Sequence, residues 1–253
     1  RGRFSPYIVG AAGILFGFDT GNIAGALPLL REQLGTTIFE DQVIVSITIL
    51  MAFFSSIFSG RIVDRFGSRN MLVFSSILFI LGAIQGHEAV SVANLIVMRA
   101  TLGIAIGISS YCAPKYISET TDPLKRGKTV LFNGICITLG EVLGFLCNIY
   151  YSDGRDWNQM FFISLIPALY LLFGMLLLPQ SSPDHIKDKK GSFSKRMSIH
   201  QFMNFIRDGL SLPHVRRPLL IGVCLGCFQQ FFGINSVMYF GPSIFESLGA
   251  STY

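Results

Sequence analysis

The sequence predicts an all-α integral membrane protein, and three observations carry that prediction. Of the 253 residues, 51% are hydrophobic and only 14% charged, with a mean hydropathy of +0.53. Soluble domains carry about a quarter charged residues. The apolar residues gather into seven runs of about twenty, long enough to cross a bilayer as helices. The Lys and Arg residues fall almost entirely on one side of those runs. Backbone groups in lipid must be satisfied within the segment or in a closed barrel, and continuous apolar runs of this length are helical.

The predicted spans cover about 7–28, 42–60, 71–88, 94–114, 128–150, 159–178 and 218–241. The first contains "GILFGFDTGNIAG", with Gly13, Gly17, Gly21 and Gly25 at four-residue spacing and one acid, Asp19. The glycines drift slowly along one stripe, while Asp19 lies about 200° from Gly17. Small residues at this spacing let a neighbouring helix approach closely. "GRIVDRFGSRN" joins the second and third spans. The fourth carries Arg99 and the fifth Glu141. Tyr150, Tyr151 and Trp157 mark the outer ends of the fifth and sixth, where an aromatic belt is expected. Residues 179–217 are polar and proline-broken, a predicted linker with a short surface helix near 198–210. The seventh span contains "FQQFFGIN", in which Gly233 permits a bend.

Of the twenty Lys and Arg, all but Arg31, Arg155 and the intramembrane Arg99 lie at the N-terminus or in the connections after spans 2, 4 and 6. The positive-inside rule therefore puts the N-terminus and the linker in the cytoplasm. The same asymmetry accounts for the net charge of +5, so no nucleic-acid partner is needed. The five cysteines lie in or beside apolar runs, and the four histidines fall in connections. Cys224 and Cys227 have C-x-x-C spacing but no second pair and no nearby His, so neither a metal nor a cofactor is predicted. The chain lacks an N-terminal Met, and six spans, a linker and one further span read as one half of a two-bundle transporter plus the first helix of the other half.

Three ionisable residues lie inside spans, where such groups are costly and mark function. Asp19, Arg99 and Glu141 sit roughly 18, 22 and 20 Å from the cytoplasmic ends of their helices at helical rise. One Arg and two carboxylates at one depth are expected to meet. A guanidinium beside a carboxylate holds it ionised, and separation lets it take a proton, which is the chemistry of a relay. A static pair that only locks the bundle uses the same residues. Gln229, Gln230 and Asn235 offer both donors and acceptors, which suits a neutral, hydroxyl-rich ligand. Interhelical hydrogen bonding is their structural alternative.

Four motifs, in order and at the right helix ends, resemble those of the sugar porter family of the major facilitator superfamily. "GRIVDRFGSRN" is similar to the helix 2–3 signature G-R-x-x-D-R-x-G-R-R. "RATLGIAIG" matches R-x-x-x-G-x-x-x-G at Arg99, Gly103 and Gly107. "PKYISETTDPLKRG" is similar to P-x-Y-x-x-E-x-x-P-x-x-x-R-G, and "QQFFGINSVMYF" resembles the helix 7 motif. The resemblance covers nearly the whole chain. It implies a fragment of the major facilitator fold: a six-helix bundle over 1–178, a cytoplasmic linker over 179–217, and over 218–253 the first helix of a second bundle.

The resemblance also implies roles. Gln229, Gln230 and Asn235 fall on sugar-binding positions and Tyr239 on an outer-gate position. Asp19 falls where proton-coupled members carry an acid, and Arg99 on that acid's partner. Asp64, Arg65, Arg69, Glu119 and Arg126 fall on a cytoplasmic charge network that latches the two bundles. Three departures stand out. Gly134 replaces a sugar-binding Gln. Glu141 is an extra acid, open to three uses: bonding sugar hydroxyls, competing for Arg99, or holding a second proton. "PQSSPDHIK" is a degraded form of the motif after helix 6. The expected function is proton-coupled monosaccharide symport by alternating access at the cell membrane, without covalent chemistry on the substrate. Uncoupled sugar diffusion and a non-transporting sugar sensor are the alternatives. The expected partners are a monosaccharide, a proton, the bilayer and the remaining bundle of the same chain.

Overall fold

The computed structural model describes residues 5–122, 124–152, 156–178 and 213–247. The linker predicted over 179–217 lies outside the described residues as far as 212, together with its surface helix. The described helices are α1 (Ser5–Leu34), α2 (Ile38–Phe66), α3 (Ser68–His87), α4 (Val92–Thr120), α5 (Arg126–Ser152), α6 (Trp157–Phe162), α7 (Leu165–Leu177), α8 (Pro213–Phe231) and α9 (Ile234–Ser247). They supply seven segments long and apolar enough to cross a membrane, with α6–α7 forming one and α8–α9 another. Each predicted span is helical. Several helices run beyond the apolar run, because hydropathy marks where lipid ends and not where the backbone ladder ends. Thus α2 continues through Arg61–Phe66 and α4 through Lys115–Thr120.

Two glycines separate consecutive helices at positive φ. Gly67, at φ 85°, is the only residue between α2 and α3, and its N–H donates to the Val63 carbonyl at 2.7 Å. Gly233, at φ 69°, breaks α8 from α9. Both occupy the left-handed region that glycine tolerates without steric cost. The chain divides into two compact units, Arg1–Ser181 with Tyr239–Tyr253, and Ser182–Met238. Among described residues, α1–α7 and the part of α9 from Tyr239 on belong to the first, while α8 and the start of α9 belong to the second.

Within the first unit α1 is central. It packs most extensively on α5 and also touches α4 and α7, while α4 carries α2 and α3. The α1 glycine stripe faces α5. A Cβ on Gly17 would overlap the Ile137 carbonyl oxygen, one on Gly21 the Glu141 carbonyl, and one on Gly25 the Asn148 side chain. From the other side, Gly140 meets the Ile14 backbone and Gly144 the Phe18 carbonyl. Gly103 and Gly107 repeat the device on α4, against Thr48 and Ala52 of α2. Lipid supplies no hydrophobic drive between helices, so such close backbone approach and interhelical hydrogen bonds hold the bundle. Ser75 donates to the Ala105 carbonyl at 2.9 Å and Asn148 Nδ2 to the Gly21 carbonyl at 2.8 Å. Ser75→Ala is expected to cost only about 0.6 kcal/mol, measured as a shift in unfolding of the purified protein in detergent.

The outward faces are apolar, as a bilayer requires. Leu131, Ile135, Leu139, Leu143 and Leu146 form an exposed row on α5, and Phe53, Phe54, Ile57 and Phe58 one on α2. Tyr150 is exposed, as a belt residue should be. Trp157 differs from expectation. It is 2% exposed, and its indole N–H donates to Gln33 at 2.9 Å, so it anchors α6 to α1 instead of facing headgroups.

Candidate functional site

Asp19 leaves α1 on the side away from the glycine stripe and is 7% exposed. It meets Arg99 of α4, which is fully buried. Arg99 Nη1 donates to Asp19 Oδ1 at 2.5 Å, and its Nε donates to the Ile44 carbonyl of α2 at 3.3 Å. One guanidinium therefore joins three helices. Its Nη2 has no partner among the described residues. Such an ion pair persists in a dry interior because each charge compensates the other.

The third intramembrane charge is placed differently. Glu141 is half-buried on α5, with its backbone against Gly17 and Gly21. Among the described residues it makes no hydrogen bond and no ion pair with Arg99. Matching depth brought Asp19 to Arg99; Glu141 sits across the glycine stripe instead. What links them is Tyr239 of α9, 8% exposed, whose phenol lies within electrostatic reach of Asp19, Arg99 and Glu141. Tyr239 lies beside Thr20, the residue after Asp19. Thr20 Oγ1 donates to the Phe16 carbonyl at 3.2 Å.

In the second unit, Gln229 and Gln230 close α8 and Asn235 opens α9 across the Gly233 break. Asn235 Nδ2 donates to Gln230 Oε1 at 2.8 Å. All three amides are exposed, so the Gln229 amide, the Gln230 NH₂ and the Asn235 carbonyl remain for a ligand.

Where α2, α3 and α4 end near their connections, Lys115 donates to Asp64 at 2.9 Å and Ser68 to Glu119 at 2.7 Å. Arg69 donates to the Met175 and Leu176 carbonyls at 2.8 and 2.7 Å, capping orphan carbonyls at the end of α7. Arg65 stacks over the Phe66 ring, and Arg126 opens α5 exposed. The described partners of Asp64, Arg69 and Glu119 thus lie within the first bundle.

A larger groove of about 690 Å³ runs along α2, α3 and α4, walled by Met51, Phe54, Phe58, Ile62 and Ile104. Its lining is mainly apolar, with Ser55, Ser59 and Asn70 as its polar side chains.

Residues 7–253 match the family model described as "Sugar (and other) transporter". The chain belongs to the sugar transporter family. Among sugar transporter relatives, the arabinose-proton symporter of Escherichia coli is 34% identical over 270 residues, covering 98% of this chain and 57% of the relative. The Escherichia coli galactose-proton symporter is 30% identical over 266 residues, covering 97% of this chain and 57% of the relative. The solved structure of the Escherichia coli xylose transporter XylE, in a partially occluded inward-open conformation, matches with a TM-score of 0.73 at 26% identity. It covers 95% of this chain and 66% of that one. The chain spans about 57% of the length of these curated relatives. With its seven apolar segments, the chain is a multi-pass membrane protein.

The family's motif glycines have clear reasons here: a positive φ at Gly67, and close helix packing at Gly103 and Gly107. The departure at Gly134 is sterically open: a Cβ there meets nothing within 4 Å. Sequence reasoning missed four polar residues. Lys115 was counted only for topology, although it stands one helical turn from Glu119. Asp41, fully buried, pairs with Arg31 and accepts from Thr36 at 2.8 Å. Hydropathy alone put Asp41 just outside its span. Thr20 and Asn22 stand in the quoted first-span stretch and carry no charge to draw notice.

Proposed function

We propose that this chain is the proton-binding half and the first sugar-binding helix of a proton-coupled monosaccharide symporter working by alternating access. The observation that carries the reading is the buried Asp19–Arg99 pair, with the buried Tyr239 beside it. The Arg99 guanidinium stabilises the Asp19 carboxylate as an anion. Moving the two apart leaves a buried carboxylate that neutralises itself by taking a proton. Gln229, Gln230 and Asn235 bond sugar hydroxyls, and Tyr239 closes the outer gate. That tyrosine gives α9 a direct contact with the proton helix, so a gate movement perturbs the ion pair. Glu141, within reach of the same phenol, serves as a second proton site. Asp64, Arg65, Arg69, Glu119 and Arg126 form the cytoplasmic latch, with Lys115 added. Clustered opposite charges at helix ends can form in one state and break in the other.

The reading places the chain in the cell membrane with its N-terminus and the 179–217 linker cytoplasmic, and a second helical bundle completes the site. Arabinose and galactose symporters among its relatives support a monosaccharide and a proton as the transported pair. The test is Asp19→Asn in full-length protein reconstituted into liposomes. Sugar accumulation against a gradient and sugar-induced alkalinisation are expected to vanish, while sugar exchange at equal concentrations persists. Uphill accumulation surviving in Asp19→Asn would remove the coupling role and favour uncoupled diffusion.

A further inference from the structure

Asn22 stands one turn beyond Asp19 on α1 and is fully buried. Neither its amide nitrogen nor its amide oxygen has a hydrogen-bond partner among the described residues. A buried amide left wholly unpaired costs about 1–3 kcal/mol for each orphaned group, so such a side chain calls for a partner. Asn22 lines a small cavity together with Asp19 and Ser164, while Phe18, Phe79 and Phe161 wall its apolar side. The space inside is about 10 Å³. One water needs roughly 10–15 Å³ and two to four polar partners.

The polar groups supply that number. Ser164 Oγ already donates to the Phe161 carbonyl at 2.7 Å, so it can only accept. Asn22 Nδ2 can only donate, and Asn22 Oδ1 and the Asp19 carboxylate accept. A water accepting from Asn22 Nδ2 and donating to Asp19 and to Ser164 or Asn22 Oδ1 makes three bonds. A sugar is far too large for the cavity, and an alkali cation would meet the Asn22 NH₂.

We propose that Asn22 holds a single water against the Asp19 carboxylate and that the transported proton reaches and leaves Asp19 through this water. Asn22 is then a positioning residue. The step balances simply: a proton arriving as hydronium passes to the carboxylate, leaving water and a neutral carboxyl group. This inference rests on Asp19 being the coupling acid. The charged and titratable groups facing Asp19 are Arg99 from α4 and Tyr239 from α9, with Glu141 of α5 reaching the same phenol. The cavity walls from α3 and α6, Phe79, Gly82, Ala83 and Phe161, contribute none.

Valine and threonine have nearly the same shape and differ in one hydroxyl, so the pair isolates water binding from packing. Full-length Asn22→Val and Asn22→Thr are compared in liposomes, with Asp19→Asn beside them. Asn22→Val is expected to lower proton-driven uptake about tenfold, the loss of one well-placed water-mediated hydrogen bond. Its half-maximal uptake is expected at higher pH, since the ionised carboxylate has lost a donor. Asn22→Thr recovers most of the rate and the wild-type pH profile. Equal behaviour of the two variants, or a wild-type profile in Asn22→Val, overturns the water. If Asn22→Val does not fold, a high-resolution density map of the wild-type protein decides. A single peak bonded to Asn22 and Asp19 supports the proposal, and an empty cavity ends it. Uphill uptake in Asp19→Asn would sink the coupling reading itself, whereas loss there with an indifferent Asn22 sinks only the water.

Discussion

Replacing Arg99 by Met is expected to destabilise the bundle by about 3–5 kcal/mol, because it leaves the Asp19 carboxylate buried without its cation. Arg99 is fully buried and Asp19 is 7% exposed, so solvent screening offers no relief. The same change frees the Ile44 carbonyl that Arg99 Nε now satisfies. Two features make the experiment decisive. The double variant Asp19→Asn with Arg99→Met removes both charges and is expected to regain most of the loss, since a buried ion pair often contributes little beyond its apolar replacement. The penalty in the single variant is also expected to shrink as pH falls and the stranded carboxyl protonates. Thermal unfolding of all four proteins of the cycle in detergent, at neutral and acidic pH, reads both effects. Additive losses in the double variant would mean that the two side chains do not act as a pair.

Replacing Gly17 by Leu is expected to be of similar severity, at least about 3 kcal/mol, the upper part of the overpacking range. The first carbon of any side chain at Gly17 already overlaps the Ile137 carbonyl oxygen and crowds the Glu141 amide. Both are backbone atoms of α5, so no rotamer change relieves the clash and the helices have to separate. Separation would also break the Asn148–Gly21 bond further along the same seam. Gly134→Ala supplies the control. It lies on α5 with open space around it, so the change is expected to gain about 0.5–1 kcal/mol from the loss of glycine's backbone entropy. Unfolding of the two variants under identical detergent conditions should move in opposite directions. A tolerated leucine at Gly17 would refute the tight α1–α5 seam.

The first-span stretch shows why part of this was legible from sequence. Its glycine spacing and the angular position of Asp19 are properties of one helix, fixed by 100° per residue. Both faces follow from that spacing, and the structure puts α5 on one and Arg99 on the other. The depth match between Asp19 and Arg99 likewise needed only helical rise. Glu141 stood at the same depth, yet depth along the membrane says nothing about position around it. Its place across the α1–α5 seam, away from Arg99, depended on which helices are neighbours. Tyr239 was legible as a motif residue, but its burial beside Thr20 was not.

The sequence by itself determined the class of the protein, the number and order of its membrane segments, the special turn at Gly233, and the charged and amide residues from which the proposed function is built. These follow from length, hydropathy and periodicity, which are local quantities. Tertiary structure alone decided that α5 fills the glycine stripe, that Arg99 bridges α1 and α2, that Trp157 turns inward to Gln33, and that Asn22 is left unpaired beside Asp19. The physical reason is common to all four. Neither a glycine nor a polar side chain, charged or neutral, specifies its partner from its own helix alone, so the partner is chosen by whichever helix packs against it.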